Sequence, residues 1–254
     1  MKAAELIWNS WKNGKKIETL PDEIMPHSRN EAYKIQEQIE VLSKNTILGW
    51  KIAATSKDGQ NHIGVSGPLA GRIFRDKVTN PNNTIALGNN KMGVAEPEFA
   101  FKIGSLIKPN KTLFNVEEIM ELVDNLHLAI EFPDSRFNNF SSVGELSLIA
   151  DNACADQFVI SSPIEKDWKN IDFSNFKLSI SNSKFSYQGI GSNVLGDPRI
   201  ALTWLVNELS QNNIVLEKDM IISTGTCSKP IAVEAGDIVT ANFGELGEII
   251  VNLI

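Results

Sequence analysis

The chain has 254 residues, 42% hydrophobic and 22% charged, which fits one large globular unit able to bury a sizeable core and excludes a disordered or fibrous protein. Lys and Arg number 24 against 31 Asp and Glu, a net charge of −7 with no basic cluster, so nucleic acid is excluded as a partner. No apolar run approaches the roughly 18 residues of a membrane span, and Cys154 and Cys227 lie outside any metal-binding spacing, which fits a reduced cytoplasm.

In chain order, "MKAAELIWNSWKNGKK" reads as an amphipathic helix with Leu6, Ile7 and Trp11 on one side, not as a secretory leader. Ser28 and Glu31 have capping-box spacing before a second helix that repeats Ala32, Ile35, Ile39 and Leu42. The expected division is a helical N-terminal part, 1–47, and a β-rich part, 48–254. Strands are predicted over 48–54, 93–103, 127–132, 155–160, 176–181, 219–224, 237–243 and 247–253, punctuated by clusters such as "NPNNT" and "LGNN". Two helices interrupt them: Asn115 caps "VEEIMELVDNL", and Asp197 followed by Pro198 opens "RIALTWLVNELSQ". The class is α+β with a dominant mixed β body.

The stretch "GVAEPEFAF" places Glu96 and Glu98 two positions apart, on one face of a strand. Two anions facing one interior are costly unless a cation lies between them. "HLAIEFPDSRF" offers a third acid, Glu131, with Asp134 just beyond Pro133. Three carboxylates suit a hard divalent cation such as Mg²⁺ or Mn²⁺, and the lack of His or Cys at ligand spacing disfavours zinc. On pattern alone, a pair of solvated acids flanking Pro97 on an exposed edge is an equal alternative. "GIGSNVLG" lacks the third glycine and the preceding strand of a dinucleotide loop, and His27, His62 and His127 are too scattered to assemble a triad.

"GWKIAATS", "GVSGPLAGRIF", "AEPEFAF", "AIEFPDSRF", "ADNACADQFVI", "GSNVLGDPRIALTWLVNEL" and "ISTGTC" occur in the order found in the 2-keto-4-pentenoate hydratase and 4-oxalocrotonate decarboxylase family of the fumarylacetoacetate hydrolase superfamily. The resemblance runs from about residue 28 to the C-terminus. It implies a mixed β-sandwich or roll of the fumarylacetoacetate hydrolase C-terminal-domain type behind a small helical part. It also implies a metal held by Glu96, Glu98 and Glu131, with Lys51 in the active site. By alternation Trp50 and Ile52 share one face and Lys51 the other. There a buried ammonium offsets excess negative charge and transfers protons.

Ser66 stands where many members carry an acid and is the second catalytic candidate. The substrate-binding candidates are Leu69, Arg72, Asp134, Cys154 and Thr226. Cys154 replaces the Ser of some members, and Arg72 is balanced between a substrate carboxylate and a surface acid. The implied reaction is metal-dependent hydration of a 2-hydroxy-2,4-dienoate to a 4-hydroxy-2-oxo acid, by protonation at C5 and water addition at C4. The same chelate serves 2-oxo-acid decarboxylation or acylpyruvate-type C–C hydrolysis, and a metal-binding homologue without turnover is the remaining alternative. The expected partners are a small 2-oxo or 2-hydroxy-dienoic acid and further copies of the chain in a homo-oligomer.

Overall fold

The computed structural model describes residues 1–254. Its helices are α1 (Lys2–Asn13), α2 (Arg29–Ser43), α3 (Lys57–Ile63), α4 (Val116–Glu121), α5 (Glu145–Ala150) and α6 (Pro198–Gln211). The strands are β1 (Ile47–Ala53), β2 (Leu69–Phe74), β3 (Val78–Thr79), β4 (Thr84–Ile85), β5 (Val94–Ile103), β6 (Val123–Phe132), β7 (Gln157–Ile160), β8 (Lys177–Ser181), β9 (Ser186–Ile190), β10 (Ile221–Thr226), β11 (Ile231–Ala232), β12 (Ile238–Asn242) and β13 (Glu248–Leu253). Seven strands of an eight-stranded sheet run in the order β2-β1-β10-β5-β6-β7-β3, with β11 added to β5. A second, five-stranded sheet has the order β4-β13-β12-β8-β9. The pairing is mixed, since β1 lies parallel to β10 while β5 is antiparallel to both of its long neighbours. The fold is thus α+β, as the segment pattern predicts.

Local chemistry explains the ends of the elements. Ser28 Oγ accepts from the Glu31 amide at 3.2 Å to start α2, while the Glu31 carboxylate reaches back to His27 N–H. Asn115 and Glu118 form a reciprocal capping box on α4. That helix is shorter than the sequence pattern suggests. "VDNL" joins β6 instead, because Val123 and Leu126 bury their side chains in the core as part of the strand. Strands β2 and β9, α3 and α5 are further elements that periodicity does not reveal.

The main sheet is buried on both faces. One carries Trp50, Ile52, Phe99, Phe101, Ile130 and Phe132 into a core that also takes Ile7, Ile39 and Leu205 from the helices. The other holds a smaller apolar cluster of Ile73, Ala100, Ala129, Ala155, Phe158, Ile160 and Ile221. Alternation along β5 and β6 sets Glu96, Glu98 and Glu131 beside this second cluster. Pro97 is tolerated within β5 because the β10 register breaks between Ser223 and Thr226, where the missing N–H has no ladder partner to lose. Its carbonyl accepts from Cys227 N–H at 2.9 Å.

Candidate metal centre and active site

Glu96 lies opposite Glu131 in the β5–β6 ladder, and Glu98 follows two residues along the same strand face. One carboxylate oxygen from each lies within 4.8 Å of the others. Glu98 and Glu131 are fully buried and Glu96 is partly exposed at the lip. These acids therefore do not form the solvated edge that the short motif alone allows.

The surroundings order two of the three. Ser223 Oγ donates to Glu98 Oε2 at 2.5 Å, and Gly225 N–H donates to the same oxygen at 3.0 Å. Gly225 has φ +106, and a Cβ there would lie 2.3 Å from Thr55 Oγ1, so only glycine lets the bulge turn its amide inward. Lys51, paired with Ser223 across β1 and β10, forms an ion pair with Glu131 Oε1 at 2.9 Å and donates to the Ala153 carbonyl at 3.1 Å. Glu98 Oε1 and Glu131 Oε2 remain buried without a hydrogen-bond partner. Buried orphan oxygens of this kind require a ligand to satisfy them. The donor set fits a hard divalent cation, which takes oxygen ligands and keeps open positions.

Electrostatics point the same way. Burial, then the neighbouring Glu98 charge, pushes Glu96 up to about 7 against the opposing pull of Lys51. Glu98 and Glu131 are raised as well, mainly by burial, with Lys51 opposing. Burial alone would lower Lys51, but the facing carboxylates, Glu131 foremost, outweigh it and hold the ammonium charged. Without a cation the cluster therefore retains protons.

A strained turn closes one side of this site. Asn152, Ala153 and Cys154 are consecutive residues at φ 57, 49 and 61. For non-glycine residues that left-handed conformation costs about 1–2 kcal/mol each. Hydrogen bonds hold it: Asn152 O accepts from Ala155 N–H at 2.9 Å, Cys154 O from Asp134 N–H at 2.9 Å and Ala155 O from Arg136 Nη1 at 2.8 Å. The buried Arg136–Asp151 pair, 2.5 Å apart, underlies the turn.

The other candidate residues divide. Leu69 is buried opposite Ala53, two positions from the Gly71–Lys51 pair. Thr226 sits opposite Glu98, but its hydroxyl donates to Ser228 O at 2.9 Å. Cys154 lines the strained turn with its thiol pushed up to about 12 by burial and the nearby Asp151, which leaves it inert as a nucleophile. Ser66 is exposed, and its hydroxyl donates to Glu145 Oε2 at 3.1 Å, a carboxylate that also pairs with Arg29. Two candidates need correction as substrate contacts. Arg72 pairs with Trp50 across the strands and so faces away from Lys51; its guanidinium meets Glu40 at 2.7 Å and stacks 4.7 Å from the Trp50 ring. Asp134 is occupied by Lys16 and by the Lys91 and Met92 amides at 3.1 and 3.3 Å, and its carboxylate is not one of the group that converges in the metal site. The sequence reading did not single out Ser223, Asn152 or the Ala153 carbonyl, because their roles depend on strand register and on a turn with no periodic signal.

A mixed sheet of this order carrying three strand-borne glutamates and a buried lysine is the arrangement that the resemblance to the fumarylacetoacetate hydrolase superfamily implies. No family model matches the chain. It is 26% identical over 252 residues to a 2-keto-4-pentenoate hydratase of Paraburkholderia xenovorans (strain LB400), covering 98% of this chain and 92% of the relative. A 2-oxo-hept-4-ene-1,7-dioate hydratase of Escherichia coli is 26% identical over 229 residues, covering 86% of this chain and 84% of the relative. Among solved structures, 4-oxalocrotonate decarboxylase from Pseudomonas putida G7, complexed with magnesium and adipate, superposes with a TM-score of 0.89 at 21% identity, covering 100% of this chain and 96% of that one. Along nearly its whole length the chain is thus similar to 2-keto-4-pentenoate hydratases, and it shares the fold of 4-oxalocrotonate decarboxylase.

Proposed function

We propose that the chain is a divalent-metal-dependent hydro-lyase that adds water to a 2-hydroxy-2,4-dienoate of the 2-oxopent-4-enoate type and releases a 4-hydroxy-2-oxo acid. The observation that carries this reading is the convergence of Glu96, Glu98 and Glu131 within 4.8 Å, beside the buried Lys51. The hydratase names of its relatives support the reaction class.

Glu96, Glu98 and Glu131 would hold the cation, with Mg²⁺ the first choice and Mn²⁺ the second, since both prefer carboxylate oxygens. Bound there, the cation supplies a Lewis acid for the substrate's carboxylate and 2-oxygen. Lys51 is the proton donor to C5. The ion pair with Glu131 and the hydrogen bond to the Ala153 carbonyl fix the ammonium, whose remaining N–H capacity is available to the substrate. Its charge also offsets the excess of carboxylates, which sum with a substrate acid to more negative charge than one divalent cation neutralises. Leu69 and Thr226 border the substrate space. Ser66 is the candidate to relay the proton of the added water, accepting it as its own hydroxyl proton passes to the Glu145 carboxylate. Buried walls of Phe158, Ala129 and Ala155 keep bulk water from the C5 proton transfer.

A decarboxylase reading is the runner-up, favoured by 26% identity over 203 residues to a 4-oxalocrotonate decarboxylase of Pseudomonas sp, covering 80% of this chain. Acylpyruvate-type C–C hydrolysis uses the same chelate. Identifying products separates them: hydration of 2-hydroxypenta-2,4-dienoate yields 4-hydroxy-2-oxopentanoate, decarboxylation of a 4-oxalocrotonate-type acid releases CO₂, and loss of both activities leaves only a metal-binding homologue. The reading further assigns the chain to aromatic catabolism in the cytoplasm as a homo-oligomer, which light scattering on the purified protein tests.

A further inference from the structure

We infer that Asn152 is a positioning residue for Lys51: its side-chain amide clamps the left-handed turn onto strand β2 and so fixes the Ala153 carbonyl that anchors the Lys51 ammonium. This rests on the role of Lys51 as proton donor proposed above. Strand β2 ends the path of the large sheet, so the outward N–H and C=O of its residues have no strand partner. Asn152 supplies one with a side chain. Its Oδ1 accepts from Arg72 N–H at 2.6 Å, and its Nδ2 donates to Arg72 C=O at 2.8 Å. Only an amide offers a donor and an acceptor at that spacing; an aspartate would lose the donor and bury a charge. The close approach needs Gly71, where a Cβ would lie 2.1 Å from Asn152 O.

The clamp matters because of what the rest of the turn is doing. The carbonyls of Asp151, Asn152, Cys154 and Ala155 are all taken by Arg136 or by backbone amides. The Ala153 carbonyl alone is left to Lys51. Lys51 has a flexible four-carbon stem, and without that second acceptor its ammonium would be held by Glu131 only. Released from Arg72, the strained turn has every reason to relax and withdraw the carbonyl. Nothing in the clamp touches Glu96, Glu98 or Glu131, so metal binding and proton donation are separable.

Asn152→Gly tests this, because glycine adopts the left-handed conformation freely and removes only the amide. With Mg²⁺ present, kcat on the substrate that the wild type converts should fall about 10–100-fold, the loss usual for a residue supporting a catalytic group, while KM and Mg²⁺ affinity change by less than about 3-fold. In a Lys51→Met background the same substitution should cause no further loss. A second arm needs no turnover: urea unfolding of the metal-free Asn152→Gly, Lys51→Met and double variants should be non-additive, because the two residues share the Ala153 carbonyl. A wild-type kcat in Asn152→Gly, or additive effects in the unfolding cycle, overturns the inference. If the wild type converts no 2-oxo or 2-hydroxy-dienoic acid, the proposed function has failed, and the unfolding cycle alone decides for or against the clamp.

Discussion

Glu96 and Glu131 oppose one another directly across the antiparallel β5–β6 ladder, two like charges where a sheet ordinarily places an attractive or apolar pair. Glu98 adds a third acid on the same face, and Lys51 is the cation that pulls all three down against the upward push of burial. When ionised, such a cluster opposes folding unless a cation is bound.

Replacing Glu98 with Gln tests the ligand set while keeping the shape that Ser223 and Gly225 hold. Calorimetric Mg²⁺ affinity should fall by about 10–100-fold or more, taking the loss usual for a supporting residue as the lower bound. Unchanged Mg²⁺ and Mn²⁺ binding would remove Glu98 from the metal site.

The raised carboxyl groups make both metal binding and stability depend on pH. Their folded pKa values lie above the unfolded value of 4.5, with Glu96 at about 7. Their contribution to stability is therefore fully present below about pH 4.5 and is lost as pH rises through their raised folded values, about 7 for Glu96. The EDTA-treated protein should lose thermal stability across that interval, and Mg²⁺ should restore more at pH 8 than at pH 5.5. Because the cation displaces protons, its affinity should rise with pH up to about 7 and more protons should be released per ion at pH 6 than at pH 8. Calorimetry in buffers of different ionisation enthalpy measures this directly, and a pH-independent affinity would contradict it.

Lys51→Met removes the ammonium but none of the three carboxylates. Turnover should fall by about 10²–10⁴-fold, as for a lost general acid. Mg²⁺ affinity measured at pH 8 should stay the same or rise slightly, since a repelling charge has gone. Near-normal rates on every acid that the wild type converts would exclude Lys51 as the donor.

Arg72→Ala separates structure from substrate binding. Because the guanidinium faces Glu40 and Trp50, KM should stay within about 2-fold of wild type, while removal of a hydrogen-bonded charge should cost about 1–3 kcal/mol of stability. At about 2–4 °C per kcal/mol that is a fall of several degrees in Tm. A large rise in KM with an unchanged Tm would return Arg72 to the site.

How far the sequence discloses all this follows from which interactions are local. Helix α2 is legible because its Ser28 cap and apolar spacing lie within one segment, and Glu96 and Glu98 are legible because a strand repeats every two residues. The Glu96–Glu131 pairing depends on β5–β6 register, which residues 20 to 35 positions apart decide together, so the sequence offers Glu131 as a third acid without showing that it faces the pair. Arg72 misleads for the same reason: its neighbour Gly71, not Arg72, stands opposite Lys51, and a shift of one residue turns a side chain to the other face. Helix α4 ends early because tertiary burial of Val123 and Leu126 overrides a helical pattern. The turn at Asn152 has no periodic signal at all, and its left-handed backbone persists only because distant groups, Arg72, Asp134 and Arg136, hold it.

The most direct measurement follows 2-hydroxypenta-2,4-dienoate by its absorbance with the metal-free protein, before and after Mg²⁺ is added, and identifies the product. The account predicts background consumption in EDTA and, with Mg²⁺, turnover in the ordinary enzymatic range of roughly 1–10³ s⁻¹ yielding 4-hydroxy-2-oxopentanoate. No consumption with Mg²⁺, or equal rates with and without it, would contradict a metal-dependent hydratase.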